Sequence, residues 1–288
     1  MQLFNGCGVA LVTPFKNGSV DFGAFNGLLD RLLTAGVSAV IPCGTTGEPA
    51  TMTEDEWKSV ISFTVKKVNG AIPVIAGTGT NNTAKVIEKA RIAKDLGADA
   101  QLCVTPYYNK TTQDGLVAHF EAIADDGALP VYLYNVPSRT GLDMQAATCA
   151  RLAKHQNIIA LKDATGDMKR ALELKQLCPA DFAIYSGDDF TIASSRILGY
   201  RGVISVAANI VPEQVVNMYR CSLEECGQIQ NKLFELIRLL FCETSPVPCK
   251  AAMSMLGQCS NELRLPLIPM SNANAQKLHD ELVRLKLL

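Results

Sequence analysis

Histidine and tryptophan are scarce in this chain, with three of the first and a single copy of the second among 288 residues. His119, His155 and His279 fall in stretches with helical periodicity, away from the ends of the apolar runs. That argues against a Ser-His or Cys-His nucleophile and against a histidine-rich metal centre, so no metal is expected. Cys-x-x-Cys is also absent. The ten cysteines are scattered, and the closest pair, Cys221 and Cys226, has no histidine nearby, so they read as buried free thiols and not as zinc ligands or disulfides. Charge of one sign is lacking too: 27 basic against 28 acidic residues leave a net charge of -1 with no basic block, and neither nucleic acid nor an anionic membrane surface is an expected partner. No apolar run approaches the roughly 18 residues of a membrane span, and the first residues have neither a charged nor an apolar leader segment, so a cytoplasmic location is expected. The first apolar run is not followed by G-x-G-x-x-G, and no Walker motif occurs. Ala76-Gly-Thr-Gly-Thr-Asn81 follows the third run and lacks a third glycine, which makes it a tight strand-to-helix turn and not a phosphate cradle.

What the chain does have is a hydrophobic content of 48% with 19% charged residues, the composition of a packed globular protein. Apolar, β-branched runs recur at Val9–Thr13, Ser38–Cys43, Pro73–Ala76, Ala100–Thr105, Val131–Asn135, Ile158–Lys162, Phe182–Ser186 and Gly202–Val206. Several are apolar on both parities, as strands covered on both faces must be, and amphipathic stretches separate them. Thr53-x-x-Glu56 is a capping box that opens a helix with Trp57, Val60, Ile61, Val65 and Val68 on one stripe. The next helix starts at Asn81-Asn82, buries Val86, Ala90, Ala93 and Leu96, and stops at Gly97. Eight such units predict an α/β fold, a (β/α)8 TIM barrel over residues 1–221. Residues 222–288 lose the strand pattern and read as helices at Leu223–Cys242, Cys249–Leu256 and Ser271–Leu285, parted by Ser245-Pro-Val-Pro and Leu265-Pro-Leu-Ile-Pro. Three short helices make a poor core alone, so a C-terminal helical appendage packed on the barrel is expected.

Barrel enzymes carry their chemistry at the C-terminal ends of the strands. Those ends are rich in Gly, Thr, Tyr and Asn, with one lysine and one arginine. Lys162 ends its run, and strand alternation puts it on the face of Ile158 and Ala160. Facing the barrel interior, its ammonium would be costly to bury and its neutral, nucleophilic amine accessible. The alternative is a lysine paired with a carboxylate or reaching out at the strand end. Asp163, the nearest acid, should point to the opposite face. Tyr134 and Tyr108, placed at strand ends, can relay protons or simply pack with their hydroxyls satisfied. Arg139 follows Pro137 in a loop, where an arginine over a barrel mouth can clamp a carboxylate. Gly44-Thr45-Thr46-Gly47 would let backbone N–H groups approach an anion.

Gly44-Thr-Thr-Gly-Glu48, Thr105-Pro-Tyr-Tyr108, Tyr134-Asn-Val-Pro-Ser-Arg-Thr-Gly141, Lys162 and Ser186-Gly-Asp188 together resemble the dihydrodipicolinate synthase family of pyruvate-dependent class I aldolases, in order, in spacing and over nearly the whole chain. The resemblance implies condensation of pyruvate with L-aspartate 4-semialdehyde through an imine on Lys162, on the path to lysine and diaminopimelate. It implies a proton relay of Tyr134, Thr45 and Tyr108, with Tyr108 entering a neighbouring subunit's site. Thr45 and Thr46 would hold the pyruvate carboxylate and Arg139 that of the semialdehyde, while backbone groups of Gly187 and Ile204 line the pocket. No cofactor is implied, and a homotetramer built as a dimer of dimers is. Lysine-inhibited members use Ser, two His, Asn, Glu and Tyr at a subunit interface. Asn81 and Tyr107 match that pattern, but Pro49, Glu54, Trp57 and Lys85 depart from it, which implies weak or absent inhibition by L-lysine.

Two other activities fit part of this pattern. A sister lyase, for N-acetylneuraminate or a keto-sugar acid, would share the lysine and the strand-end tyrosine, but those enzymes resemble Tyr-x-Ile-Pro without the arginine at 139. A catalytically silent, ligand-binding barrel would not need every matched position filled.

Overall fold

A computed structural model describes residues 3–288. Eight parallel strands, β1 (Gly6–Ala10), β2 (Ala39–Ile41), β3 (Ile75–Gly77), β4 (Ala100–Val104), β5 (Val131–Asn135), β6 (Ile158–Asp163), β7 (Ala183–Ser186) and β8 (Gly202–Ser205), pair in the order β2-β1-β8-β7-β6-β5-β4-β3. A parallel bridge between Val40 and Val74 joins the two ends, with Val40 N–H donating to Pro73 O at 3.1 Å and Gly77 N–H to Pro42 O at 2.9 Å. The sheet therefore closes into the (β/α)8 barrel that eight alternating units require.

Helices α1 (Phe22–Ala35), α2 (Glu54–Val68), α3 (Thr83–Asp95), α4 (Gln113–Asp126), α5 (Ala146–Leu152), α6 (Met168–Leu177), α7 (Ile192–Ile197) and α8 (Pro212–Asn217) follow the strands in turn. The capping box of α2 forms in both directions, Glu56 N–H to Thr53 Oγ1 at 3.2 Å and Thr53 N–H to Glu56 Oε2 at 3.0 Å. Its buried face is Trp57, Val60, Ile61, Thr64 and Val68. Asn82 caps α3, which buries Val86, Ala90 and Ala93 and leaves Leu96 half-buried.

The barrel interior is small and aromatic. Ala10, Ala39, Ile41, Ile75, Ala100, Leu102, Tyr132, Ala160, Ala183, Tyr185 and Ile204 fill it, and Phe4 plugs its N-terminal end. The Phe4 ring stacks on Tyr185 at 4.2 Å, and Tyr185 Oη donates to Phe4 O at 2.7 Å. This plug explains the first departure from expectation: β1 begins at Gly6, three residues before the apolar run. A Cβ at Gly8 would lie 2.8 Å from Phe4 Cζ, so the strand needs glycine where a β-former would otherwise mark it.

A second departure is in β6. The pairing of β5 with β6 slips between Val131 and Tyr132, so that Val131 faces Ile158 but Tyr132 faces Ala160. Ile158 therefore lies in the outer layer with Leu161, while Ala160 and Lys162 point inward. The expected grouping of Ile158 with Lys162 is corrected by this bulge. His155 also differs from expectation: it sits in the turn before β6 and not in a helix, with Nε2 3.1 Å from Asp125 Oδ1.

The tail forms α9 (Leu223–Leu240), α10 (Val247–Met255) and α11 (Asn272–Arg284). Its Leu233, Leu236, Leu240, Leu278 and Leu282 belong to the same apolar cluster as Val9, Leu28 and Val60 of the barrel. Each such leucine withdrawn from water contributes about 1.5–3 kcal/mol, so tail and barrel stabilise one continuous core.

Candidate active site

The C-terminal ends of the strands open onto a cavity of about 370 Å3. Thr45 enters it from a single 3-10 turn, Thr45–Gly47, that follows β2. Gly47 N–H donates to Gly44 O at 2.9 Å and Glu48 N–H to Thr45 O at 3.1 Å, which fixes the turn. Thr46 is buried behind it at 5% exposure. Tyr134 enters from the end of β5 and Arg139 from beyond it. Arg139 stands on a single helical turn, Pro137–Thr140, and not in an irregular loop, because proline at the first helical position starts the turn. Its Nη2 donates to Ser245 O at 2.9 Å, which leaves the rest of the guanidinium fork for a ligand.

Lys162 does not itself line this cavity but stands against Tyr134, which does. The lysine is 5% exposed, and its Nζ sits 4.3 Å from the centroid of the Tyr134 ring. Among the described residues Lys162 makes no ion pair. Its chain neighbour Asp163 faces outward as expected, accepting from Arg170 Nε at 3.2 Å and Thr165 Oγ1 at 2.9 Å. Burial pushes the Asp163 carboxyl up and Arg170 opposes that. Gly187, just after β7, forms the floor beside Lys162, since a Cβ there would lie 2.9 Å from Lys162 Cε and 2.7 Å from Ala164 Cβ. Ile204 packs in the same interior cluster as Tyr134 at 1% exposure. The structure thus brings together Thr45, Tyr134 and Arg139 around the cavity, while Lys162, Gly187, Thr46 and Ile204 are outside its lining, Lys162 packed against Tyr134 and Gly187 against Lys162.

Tyr108 stands apart. It lies four residues beyond β4 and not at the strand end, with a left-handed φ of 69° and 91% exposure. Its loop is tied down by Asn81, whose Nδ2 donates to Tyr107 O at 3.2 Å, and by Asn109, whose Nδ2 donates to Asn81 O at 2.9 Å.

Three features escape a reading of the sequence. The tail walls the cavity through Thr244, Ser245, Pro246, Pro266 and Leu267, drawn from the proline-rich segments that read only as separators. Glu48, part of a quoted motif but given no role, pairs with Lys250 of α10 at 2.5 Å, with side-chain exposures of 1% and 0%. Lys250 Nζ also donates to Glu262 O at 2.9 Å and lies 4.0 Å over the Phe15 ring, and burial pushes its pKa down against the pull of Glu48. Asp189 is buried below the site and caps the turn after β8, its Oδ2 accepting from Val206 N–H at 2.9 Å and Ala207 N–H at 3.0 Å. Burial pushes the Asp189 carboxyl up, the hydrogen bonds to its oxygens oppose this, and the charge of Lys162 opposes it further.

Among the described residues no group of three or more His, Cys, Asp or Glu side chains could hold a metal, and no helix is long and apolar enough to cross a membrane. The chemistry on offer is a buried amine without a carboxylate partner among the described residues, a phenol ring against it, and a guanidinium and a threonine on the cavity wall.

Comparison with known proteins gives a consistent result. The model of the dihydrodipicolinate synthetase family matches residues 3–285. The 4-hydroxy-tetrahydrodipicolinate synthase of Alkaliphilus oremlandii is 49% identical over 284 residues, covering 97% of this chain and 98% of that protein. The crystal structure of dihydrodipicolinate synthase from Thermotoga maritima superposes with a TM-score of 0.98 at 40% identity, over 100% of both chains. A dihydrodipicolinate synthase described as the first monomeric variant superposes with a TM-score of 0.97 at 41% identity, over 99% of this chain and 98% of that one.

Proposed function

Because the chain belongs to the dihydrodipicolinate synthetase family, we propose that it is a lyase that condenses pyruvate with L-aspartate 4-semialdehyde to 4-hydroxy-tetrahydrodipicolinate, a step of lysine and diaminopimelate biosynthesis. The observation that carries this is Lys162, an inward-facing amine with no ion-pair partner among the described residues, set against Tyr134 of a cavity that Arg139 also lines. The Lys162 amine adds to the pyruvate ketone, and loss of water gives an imine. Its methyl group then releases a proton to leave an enamine, which forms a carbon–carbon bond with the aldehyde. The amine of the semialdehyde attacks the imine carbon, closes the ring and expels Lys162. Tyr134, Thr45 and Tyr108 pass the protons. Thr45 and Thr46 hold the pyruvate carboxylate, Arg139 takes that of the semialdehyde, and backbone groups of Gly187 and Ile204 shape the pocket.

Tyr108 can serve the relay only from another subunit, because it leaves its own cavity for solvent at 91% exposure. That supports an assembly, and we assign a homotetramer built as a dimer of dimers. A monomeric relative shares the fold, so the support comes from this chain's own surface. An aromatic patch, with Phe190 5.8 Å from Phe234 and 6.3 Å from Phe241, offers a second contact. Ten free cysteines support a cytoplasmic location.

The test has two parts. Turnover of pyruvate with L-aspartate 4-semialdehyde is followed through the reductase that consumes the product, and brisk turnover is expected. Borohydride in the presence of pyruvate should label Lys162 and fail on Lys162→Ala. Labelling without turnover would move the second substrate to a keto-sugar acid, and no labelling at all would overturn the imine.

A further inference from the structure

Two of the ten cysteines meet in the outer layer of the barrel, and neither lines the cavity. Cys149, on α5, is fully buried in the apolar layer it forms with Leu152, Leu161, Ala171 and Leu174. Cys178 ends α6, with its N–H donating to Leu174 O at 3.0 Å, and packs half-buried against the same layer. The two thiols are hydrogen-bond partners across the seam between α5 and α6. Thiols already in contact can be joined by side-chain rotation, without carrying one helix away from the other.

Their surroundings differ. Cys178 stands near the charges of Lys175 and Arg170, both on α6. Hydrogen bonding to Cys149 pushes the Cys178 thiol below its ordinary value, burial opposes this, and the two cations add to it. Cys149 moves the other way: the same contact pushes it up, and burial and the charge on Cys178 push it further. One sulfur is thus half-exposed with its thiolate favoured, and the other is a neutral thiol directly behind it. A peroxide-reacting cysteine and the cysteine that resolves it divide their work in this way. Exposure alone would select Cys242, the one exposed cysteine. That thiol is held up by lost hydration and by Glu243, so exposure and thiolate character point to different residues.

We propose that Cys149 and Cys178 form a redox pair that a hydroperoxide converts into an intrachain disulfide, with Cys178 oxidised first. The Cys178 thiolate attacks one peroxide oxygen, the O–O bond breaks and hydroxide leaves, giving a sulfenic acid. The Cys149 sulfur then attacks the Cys178 sulfur, the S–O bond breaks, and the departing hydroxide takes the Cys149 proton as water. Two thiols lose two electrons in all, and hydrogen peroxide is reduced to two waters. In a reducing compartment the pair rests as thiols, and the bond forms only on exposure to peroxide.

The test uses the full-length protein, reduced, freed of reductant and treated with hydrogen peroxide. It is then alkylated in denaturant, digested and read by peptide mass spectrometry. A peptide pair joined through Cys149 and Cys178 is expected, lighter by two hydrogens than its separate halves and released by reductant. Both thiols should be lost to alkylation while Cys242 is still alkylated. On a non-reducing denaturing gel the oxidised chain should run as a monomer. In Cys149→Ser, where nothing resolves the intermediate, dimedone should capture a sulfenic acid at Cys178. In Cys178→Ser, the buried Cys149 should stay a thiol under the same treatment. Peroxide that leaves both cysteines reduced, that oxidises Cys242 ahead of Cys178, or that joins Cys178 to any other cysteine would each overturn the pair. The wild-type readings decide by themselves, so a variant that fails to fold does not remove the test. None of them needs turnover, and the pair stands or falls separately from the proposed reaction.

Discussion

Replacing Lys250 by Met tests whether the tail holds the Thr45 turn in place. The perturbation removes the partner of a carboxylate that is only 1% exposed and leaves Glu48 buried and uncompensated. Breaking one side of a buried pair costs about 3–5 kcal/mol. At ~2–4 °C per kcal/mol for a chain of this size, the apparent Tm should drop by roughly 6–20 °C. Glu48→Gln should cost less, because the ammonium it abandons still donates to Glu262 O at 2.9 Å and still faces the Phe15 ring. The double variant removes both charges and should recover most of the loss, since a buried pair replaced as a unit is close to neutral. Function should follow the same order. Glu48 ends the turn that carries Thr45, held by its N–H to Thr45 O at 3.1 Å, so Lys250→Met should raise the KM for pyruvate and slow borohydride trapping. The assay is a double-mutant cycle read by thermal unfolding and by the trapping rate. Single variants that lower Tm by less than about 2 °C, or a double variant whose loss equals the sum of the two, would refute the claim that this pair couples tail to turn.

Arg139→Ala should raise the KM for the semialdehyde and lower kcat while leaving pyruvate trapping on Lys162 intact; unchanged semialdehyde kinetics would remove Arg139 from its role. Gly187→Ala places a methyl 2.9 Å from Lys162 Cε and should slow imine formation by about tenfold or more, as displacement of a nucleophile does, with little change in fold by circular dichroism. L-lysine at millimolar concentration should leave the initial rate nearly unchanged, because Lys85, already paired with Glu88 at 2.7 Å, gives the effector's ammonium no carboxylate to bind; half-inhibition below 1 mM, on the order of the affinities of ordinary effector sites, would contradict this. His119 is buried on α4, with its pKa lowered to about 4 by loss of hydration. A folded-state pKa below the unfolded value of about 6.5 means that the unfolded chain binds more protons in between, so this contribution is fully present above pH ~6.5 and is lost as pH falls through about 4. Denaturant midpoints measured from pH 7 to 4 should fall, and should fall less steeply in His119→Gln.

The parts of this molecule that could be read from its sequence are those whose signal is local. Burial on one face repeats every two or 3.6 residues, so the eight strands, the Thr53/Glu56 capping box and the inward Lys162 each leave a pattern within a few positions. The parts that could not be read depend on contacts that one segment does not encode. Gly8 is a strand residue because Phe4 occupies the space its side chain would need. Ile158 is turned outward by a pairing slip that only the neighbouring strand reveals. Tyr108 sits at the end of a loop whose direction is set by Asn81 and Asn109, and no periodicity describes it.

Lys162 and its immediate neighbours come from strand ends, so eight βα units are enough to place a buried amine at a barrel mouth. They are not enough to enclose the substrates. Part of the cavity wall is built from Ser245, Pro246 and Leu267, and Arg139 donates to a carbonyl of that same wall. Clamping the wall down are Glu48–Lys250 and the pairing of Arg264 with Glu56, Arg264 lying 4.2 Å over the same Phe15 ring that Lys250 covers. Loosening those clamps should therefore separate two properties that a mutation at Lys162 abolishes together. Arg264→Met should keep the amine and its reaction with pyruvate but release the wall, so that pyruvate trapping persists while the semialdehyde KM rises. If trapping and semialdehyde binding instead fell in parallel, the tail would be supporting the barrel as a whole, and the division of labour between strand ends and tail would have to be abandoned.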